Sequence, residues 1–122
     1  MTDDKPIDLR KRTKDFALRV VRLYQALPET GESRVLKNQL LRSATSVGAN
    51  FREGVRARSS AEFISKLETA LQELEETAYW LELLQESGIV KAERLVDLIK
   101  ETDELTAILV ASVKTVKKRK TK

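Results

Sequence analysis

Apolar and small residues recur along this chain at alternating steps of three and four. That spacing gathers side chains on one face of an α-helix packed in a bundle. The first series is Leu9, Thr13, Phe16, Val20, Leu23 and Leu27, ended by Pro28. The second follows "PETGES" and holds Leu36, Leu40, Ser43, Val47, Asn50 and Gly54. A third runs through Phe63, Leu67, Ala70, Leu74, Thr77, Leu81 and Leu84, and a fourth through Leu95, Leu98, Thr102, Leu105, Leu109, Ser112 and Val116. Asp8 suits an N-cap, Ser59 and Glu62 have the spacing of a capping box, and Gly88 is a natural stop. Helices are therefore expected at about 9–27, 33–56, 60–87 and 91–118. Short connections make sequence neighbours antiparallel, so the fold expected is all-α, an up-down-up-down four-helix bundle filling one domain over 1–122. The first seven residues and the last lysines are expected to fray.

Composition narrows the chemistry. The 122 residues include neither cysteine nor histidine. Disulfides, thiolate metal sites, Ser-His-Asp and Cys-His pairs and the usual zinc sites are thereby excluded. No cofactor is expected, and any catalysis would rest on carboxylates, lysines or hydroxyls. No apolar run approaches the ~20 residues that span a bilayer, and "MTDDKPIDLRKR" lacks the apolar core of a signal peptide. The expectation is a cytoplasmic protein with no membrane partner.

The second helix carries a second stripe beside its first: Leu41, Ala44, Gly48, Phe51 and Val55. Helix one has a shorter version in Ala17, Val21 and Tyr24, and helix three in Ile64, Leu71 and Ala78. Two readings stand. Either helix two is sunk deep in its own bundle, or the second stripe is an oligomer interface. Gly48 and Gly54 fit both, since a residue without Cβ lets a neighbouring backbone approach. Asn50, on the core stripe, needs hydrogen-bond partners if buried.

Charge is segregated. Residues 1–58 have a net charge of +6, residues 59–90 of −6 and residues 91–122 of +4. Helix three is thus an acidic rod, either a solvated face or a surface for a basic partner. Basic residues cluster at Arg10, Lys11, Arg12 and Lys14, at Arg52, Arg56 and Arg58, and at Lys114, Lys117, Lys118, Arg119, Lys120 and Lys122. Clustered positive charge gains affinity for phosphates by releasing counterions, which makes these the candidates for binding RNA or DNA. Glu73 with Glu76, and Glu101 with Glu104, form Glu-x-x-Glu pairs of a kind that can hold Mg²⁺ for phosphate chemistry. All four flank the core stripes, where a solvated face is the simpler reading, and a non-enzymatic role is expected.

The stretch "QLLRSATSVGANFREGVRARSSAEFISKLETALQELEETAYWLELL", Gln39 to Leu84, resembles the signature region of the 23S rRNA intervening-sequence protein family. The matching features are Arg42-Ser43, Ser46-Val47, Asn50, Glu53-Gly54, Arg58-Ser59, Glu62-Phe63, Lys66-Leu67, Ala70-Leu71, Glu76 and Tyr79-Trp80-Leu81. Many relatives have a small residue in place of Arg52, and a Gly-Ser pair in place of Gln72-Glu73. The resemblance implies an antiparallel four-helix bundle that assembles as a ring, commonly a homopentamer, without a catalytic site. A related branch supplies the accessory protein of diversity-generating retroelements, which binds a reverse transcriptase and nucleic acid. The function expected on this basis is a scaffold or accessory for RNA or a ribonucleoprotein. A protein-binding oligomer using the acidic third helix is the alternative, and a Mg-dependent enzyme using the carboxylate pairs a more distant one.

Overall fold

The structure, a computed structural model, describes residues 7–120, excepting the side chain of Lys120. Four helices follow one another: α1 (Leu9–Ala26), α2 (Gly31–Val55), α3 (Ser60–Glu86) and, after a 3-10 turn at Ala92–Arg94, α4 (Val96–Lys120). No strand occurs among the described residues. Asp8 caps α1 by accepting from the Lys11 N–H at 3.0 Å, and Ser59 caps α3 by accepting from the Glu62 N–H at 3.1 Å. α2 begins at Gly31 rather than at 33, and α4 starts only after the 3-10 turn that takes up 92–94.

Successive helices pack side by side. Thr13 meets Gly48, and Tyr24 Oη donates to Asn38 Oδ1 at 2.8 Å, so α1 and α2 run antiparallel. Lys66 pairs with Glu53 near one end of the α2–α3 contact, and Ser43 bonds Thr77 near its middle, which fixes the same sense there. Leu67, Ala70, Leu74, Leu81 and Leu84 of α3 are fully buried and form the centre of the core. Phe16, Val20, Leu40, Val47, Leu105 and Leu109 close around them. Burial of one such leucine stabilises by about 1.5–3 kcal/mol relative to leaving it in water. On α4 the period drifts by one residue near its end. Val113 is buried there, while Ser112 and Val116 are only half-buried.

The buried polar groups on the stripes are satisfied. Ser43 and Thr77 share a 2.8 Å hydrogen bond, and Thr77 and Thr102 donate back to the Glu73 and Leu98 carbonyls. Asn50 is half-buried, and its amide donates to the Ser46 carbonyl at 2.9 Å. One buried group was not expected: Lys37 is 1% exposed. Its ammonium lies 4.3 Å from the centre of the Tyr24 ring and donates to Glu29 Oε1 at 2.7 Å and to the Leu27 carbonyl at 3.3 Å. It ties the α1–α2 connection to the first turns of α2.

The second stripe of α2 divides. Ala44 and Gly48 are buried inside the chain itself, a correction to their place among the interface candidates. The reason is steric: a Cβ on Gly48 would lie 3.1 Å from Thr13 Oγ1, so this glycine lets α1 close on α2. Leu41 and Phe51 remain half-buried, and Val55 is exposed. Gly54 serves the opposite side. A Cβ there would stand 2.8 Å from Leu67 Cδ1 and 3.3 Å from Lys66 Cβ of α3. The two glycines thus seat α2 against a different neighbour each, which offsets their cost of roughly 0.5–1 kcal/mol as weak helix formers.

Candidate nucleic-acid interface

The basic clusters are far apart in sequence, yet the fold draws members of all three around the C-terminal turns of α2. Arg10 of α1 joins Arg52 and Arg56 of α2 about a hollow of about 350 Å³, whose floor is Phe51 and Val55 and whose rim also includes Glu53. A second hollow, sharing Arg10 and Arg52, is lined by Asp8, Lys11 and Lys14. A third lies across Gly54, where Arg58 and the α2–α3 connection meet Phe63, Val116 and Arg119 of α4. The first two hollows share Arg10 and Arg52 and make one basic track, while the third lies on the α3-facing side of α2. Arg10, Arg52 and Arg56 make no ion pair among the described residues. Glu53 is already neutralised by Lys66 at 2.7 Å, and its carboxylate raises the Lys66 pKa.

Other candidates are committed elsewhere. Arg12 points to α4 instead: Nε donates to Glu101 Oε2 at 2.7 Å, and Nη2 to Glu101 Oε1 at 2.7 Å and Glu104 Oε1 at 2.8 Å. The hydrogen bond to Glu101 is the main cause that raises the Arg12 pKa. The structure thus places Arg12 apart from Arg10, in ion pairs with α4. Lys11 leans on Asp15 at 2.7 Å, a contact that raises its pKa and lowers that of Asp15, but it stays exposed. Lys117 reaches Glu68 at 3.2 Å. Lys114 and Lys118 are exposed on α4. The side chain of Lys120 and all of Lys122 lie outside the described residues.

The carboxylate pairs have a common fate. Just as Arg12 holds Glu101 and Glu104, Arg42 of α2 holds Glu73 at 3.2 Å and also Glu76 of α3. Each Glu-x-x-Glu motif thus receives a guanidinium from a neighbouring helix. Among the described residues no group of three or more acidic side chains is placed to hold a metal ion. Of the other acidic side chains of α3, Glu75, Glu82 and Glu86 lie beside the exposed Tyr79 around a hollow of about 510 Å³ shared with Ile99 and Thr102. No described helix is long and apolar enough to cross a membrane.

The signal for the Phe51–Val55 hollow was present in the sequence. Phe51 with Val55 and Arg52 with Arg56 form two i,i+4 pairs offset by one residue, so an apolar ridge and a basic ridge run side by side. The separation of Arg10 from Arg12 was also readable, because residues two apart lie on nearly opposite sides of a helix.

Comparison with known proteins agrees with this architecture. A family model described as 23S rRNA-intervening sequence protein matches residues 5–111. The chain is similar to a protein of unknown function from the S23 ribosomal protein family of Bacteroides thetaiotaomicron VPI-5482, known from a 1.70 Å crystal structure. The two share 39% identity with a TM-score of 0.81, over 86% of this chain and 97% of the other. Among curated proteins none matches. The chain belongs to the 23S rRNA-intervening sequence protein family.

Proposed function

We propose that this protein is a non-enzymatic RNA-binding scaffold or accessory whose phosphate-binding surface is the basic track around the end of α2. The observation that carries this reading is a group of three arginines brought together without carboxylate partners among the described residues, Arg10, Arg52 and Arg56. They come from two helices and line adjoining hollows that also hold Lys11 and Lys14, while Arg58 and Arg119 line a separate hollow across Gly54. An arginine already held by carboxylates gains little from a phosphate, whereas one facing water releases the phosphate's counterions on binding. A folded chain that holds several such groups in fixed positions binds a polyanion with little sequence readout. The family description and the basic charge point the same way.

Labelled RNA and DNA titrated at two salt concentrations test the proposal. Affinity that falls steeply with salt is expected, and absence of binding at low salt would falsify it. Assembly of several copies into a ring, as the resemblance implies, would multiply the site and strengthen binding through multivalency. A single-chain mass by light scattering would remove that part and leave the site. A second reading draws on Glu75, Tyr79, Glu82 and Glu86, an acidic hollow with an aromatic centre suited to a basic protein segment. Loss of a co-purifying basic partner on Glu82→Lys, with RNA affinity unchanged, would favour it.

A further inference from the structure

The hollow beside Arg10 is built differently from its basic neighbours. Its floor is apolar, made by the half-buried Phe51 ring and by Val55, which is 60% exposed. Its rim holds three arginines and one glutamate that Lys66 already neutralises. At about 350 Å³ it falls at the small end of the range of about 300–1,000 Å³ typical of ligand pockets. A phosphate alone has no use for an apolar floor, and an aliphatic ligand has no use for three guanidinium groups. A nucleotide uses both: its base packs on the aromatic ring while its phosphates meet the rim.

We infer that this hollow takes one unpaired nucleotide of a single-stranded or looped nucleic acid, with its base against Phe51 and Val55 and its phosphates on Arg10, Arg52 and Arg56. The inference rests on the phosphate-binding reading above and narrows its ligand. Continuity of the track favours a polyanion over an isolated acidic side chain. The neighbouring hollow of Lys11, Lys14 and Arg52 offers a place for the next phosphates along the strand. A duplex keeps its bases stacked inside and presents only phosphates to the rim. It therefore leaves the floor wet, and the protein prefers unpaired RNA to duplex.

The test is fluorescence anisotropy with three probes of about ten nucleotides: single-stranded RNA, the same strand without bases, and a duplex. The base-bearing strand should bind roughly tenfold or more tightly than the abasic strand, from one base stacked on an aromatic ring. Phe51→Ala should erase that difference. Val55→Gln, at a position exposed enough to leave the fold intact, should reduce it by making that side of the hollow polar. In both variants the salt dependence should stay as in the parent, because no charge is removed. Equal binding of the abasic and base-bearing strands would overturn the inference while leaving the phosphate-binding reading in place. Loss of all three probes at low salt would overturn both. A change of mass by light scattering in Val55→Gln, without a change in the base preference, would assign the hollow to a contact between copies and overturn it as well.

Discussion

Arg10 and Arg12 stand two residues apart on one helix and carry the same charge, yet they belong to different parts of the molecule. Arg12 turns to α4, where Glu101 and Glu104 hold it through three hydrogen bonds. Arg10 turns to α2, where it finds Phe51, Arg52 and Arg56 and, among the described residues, no carboxylate partner. The same division separates Arg42, held by Glu73 and Glu76, from Arg52 and Arg56 further along α2. Counting basic residues therefore overstates the surface available to a polyanion. A guanidinium facing a Glu-x-x-Glu pair on the next helix is a cross-link. One facing an apolar hollow is available for binding.

The sharpest way to break this distinction is to delete the two kinds of arginine separately. Replacing Arg10, Arg52 and Arg56 together by alanine is expected to weaken RNA binding about 100-fold at low salt, and to reduce the single-strand salt slope by about 2. Arg12→Ala and Arg42→Ala should leave the affinity within about twofold, since their charges are already neutralised by neighbours. Equal losses in the two sets, read by anisotropy, would abolish the distinction.

The seat of the basic turn is the next target. Gly54 lies in the last turn of α2, between Arg52 and Arg56, and a Cβ there meets Leu67 Cδ1 at 2.8 Å. Gly54→Val should cost about 1–3 kcal/mol through overpacking, seen as a lower midpoint in denaturant. Gly48→Ala should cost much less. Its Cβ would meet the Thr13 hydroxyl at 3.1 Å, and the gain in helix propensity of roughly 1 kcal/mol offsets much of that crowding. A Gly54 variant as stable as the parent would mean that α2 can lift from α3 without loss.

Much of this architecture is legible in the sequence because burial imposes a period that survives into the structure. The α3 stripe from Leu67 to Leu84 is buried residue for residue, and Asp8 and Ser59 cap the helices whose starts they mark. Amphipathicity gives the angular width of an apolar face but not the identity of what covers it. That is why Ala44 and Gly48, which pack inside the chain, read equally well as facing another subunit. Lys37 was hidden for a related reason: a lysine on a helix reads as solvated until a ring, a carbonyl and a carboxylate converge on its ammonium. Of the candidate site, the basic clusters were legible from composition. Their convergence around the end of α2 and the loss of Arg12 to Glu101 depended on which helix each faces.

The clamps themselves should differ in strength. Arg12 is 29% exposed and Glu101 15%, with two parallel hydrogen bonds between them, so Arg12→Ala should cost about 1 kcal/mol. Arg42 is 49% exposed, with Glu73 at 16% and Glu76 at 46%, so water screens its guanidinium more than that of Arg12, and Arg42→Ala should cost about 0.5 kcal/mol. Denaturant midpoints of the two variants at low salt measure the difference. Equal costs would mean that exposure does not set the value of these clamps.

The smallest effect is expected at the exposed partner of a buried cation, and it carries a sign in pH. Lys37 holds the Glu29 carboxyl below its ordinary value near 4.5, chiefly through their hydrogen bond. A carboxylate with a depressed pKa in the folded state contributes stability that is present above its unfolded value and lost as pH falls through its folded one. The parent should therefore lose a small increment of stability on acidification below about pH 4.5, relative to Glu29→Gln. Because Glu29 is 67% exposed, the two proteins should differ only slightly at pH 7 and converge at low pH. Parallel stability curves across that window would show that the Tyr24 ring and the Leu27 carbonyl satisfy the Lys37 ammonium without the carboxylate. Lys37 would then owe its burial to α1 and the helix connection alone, unlike the arginines that depend on carboxylates across a helix interface.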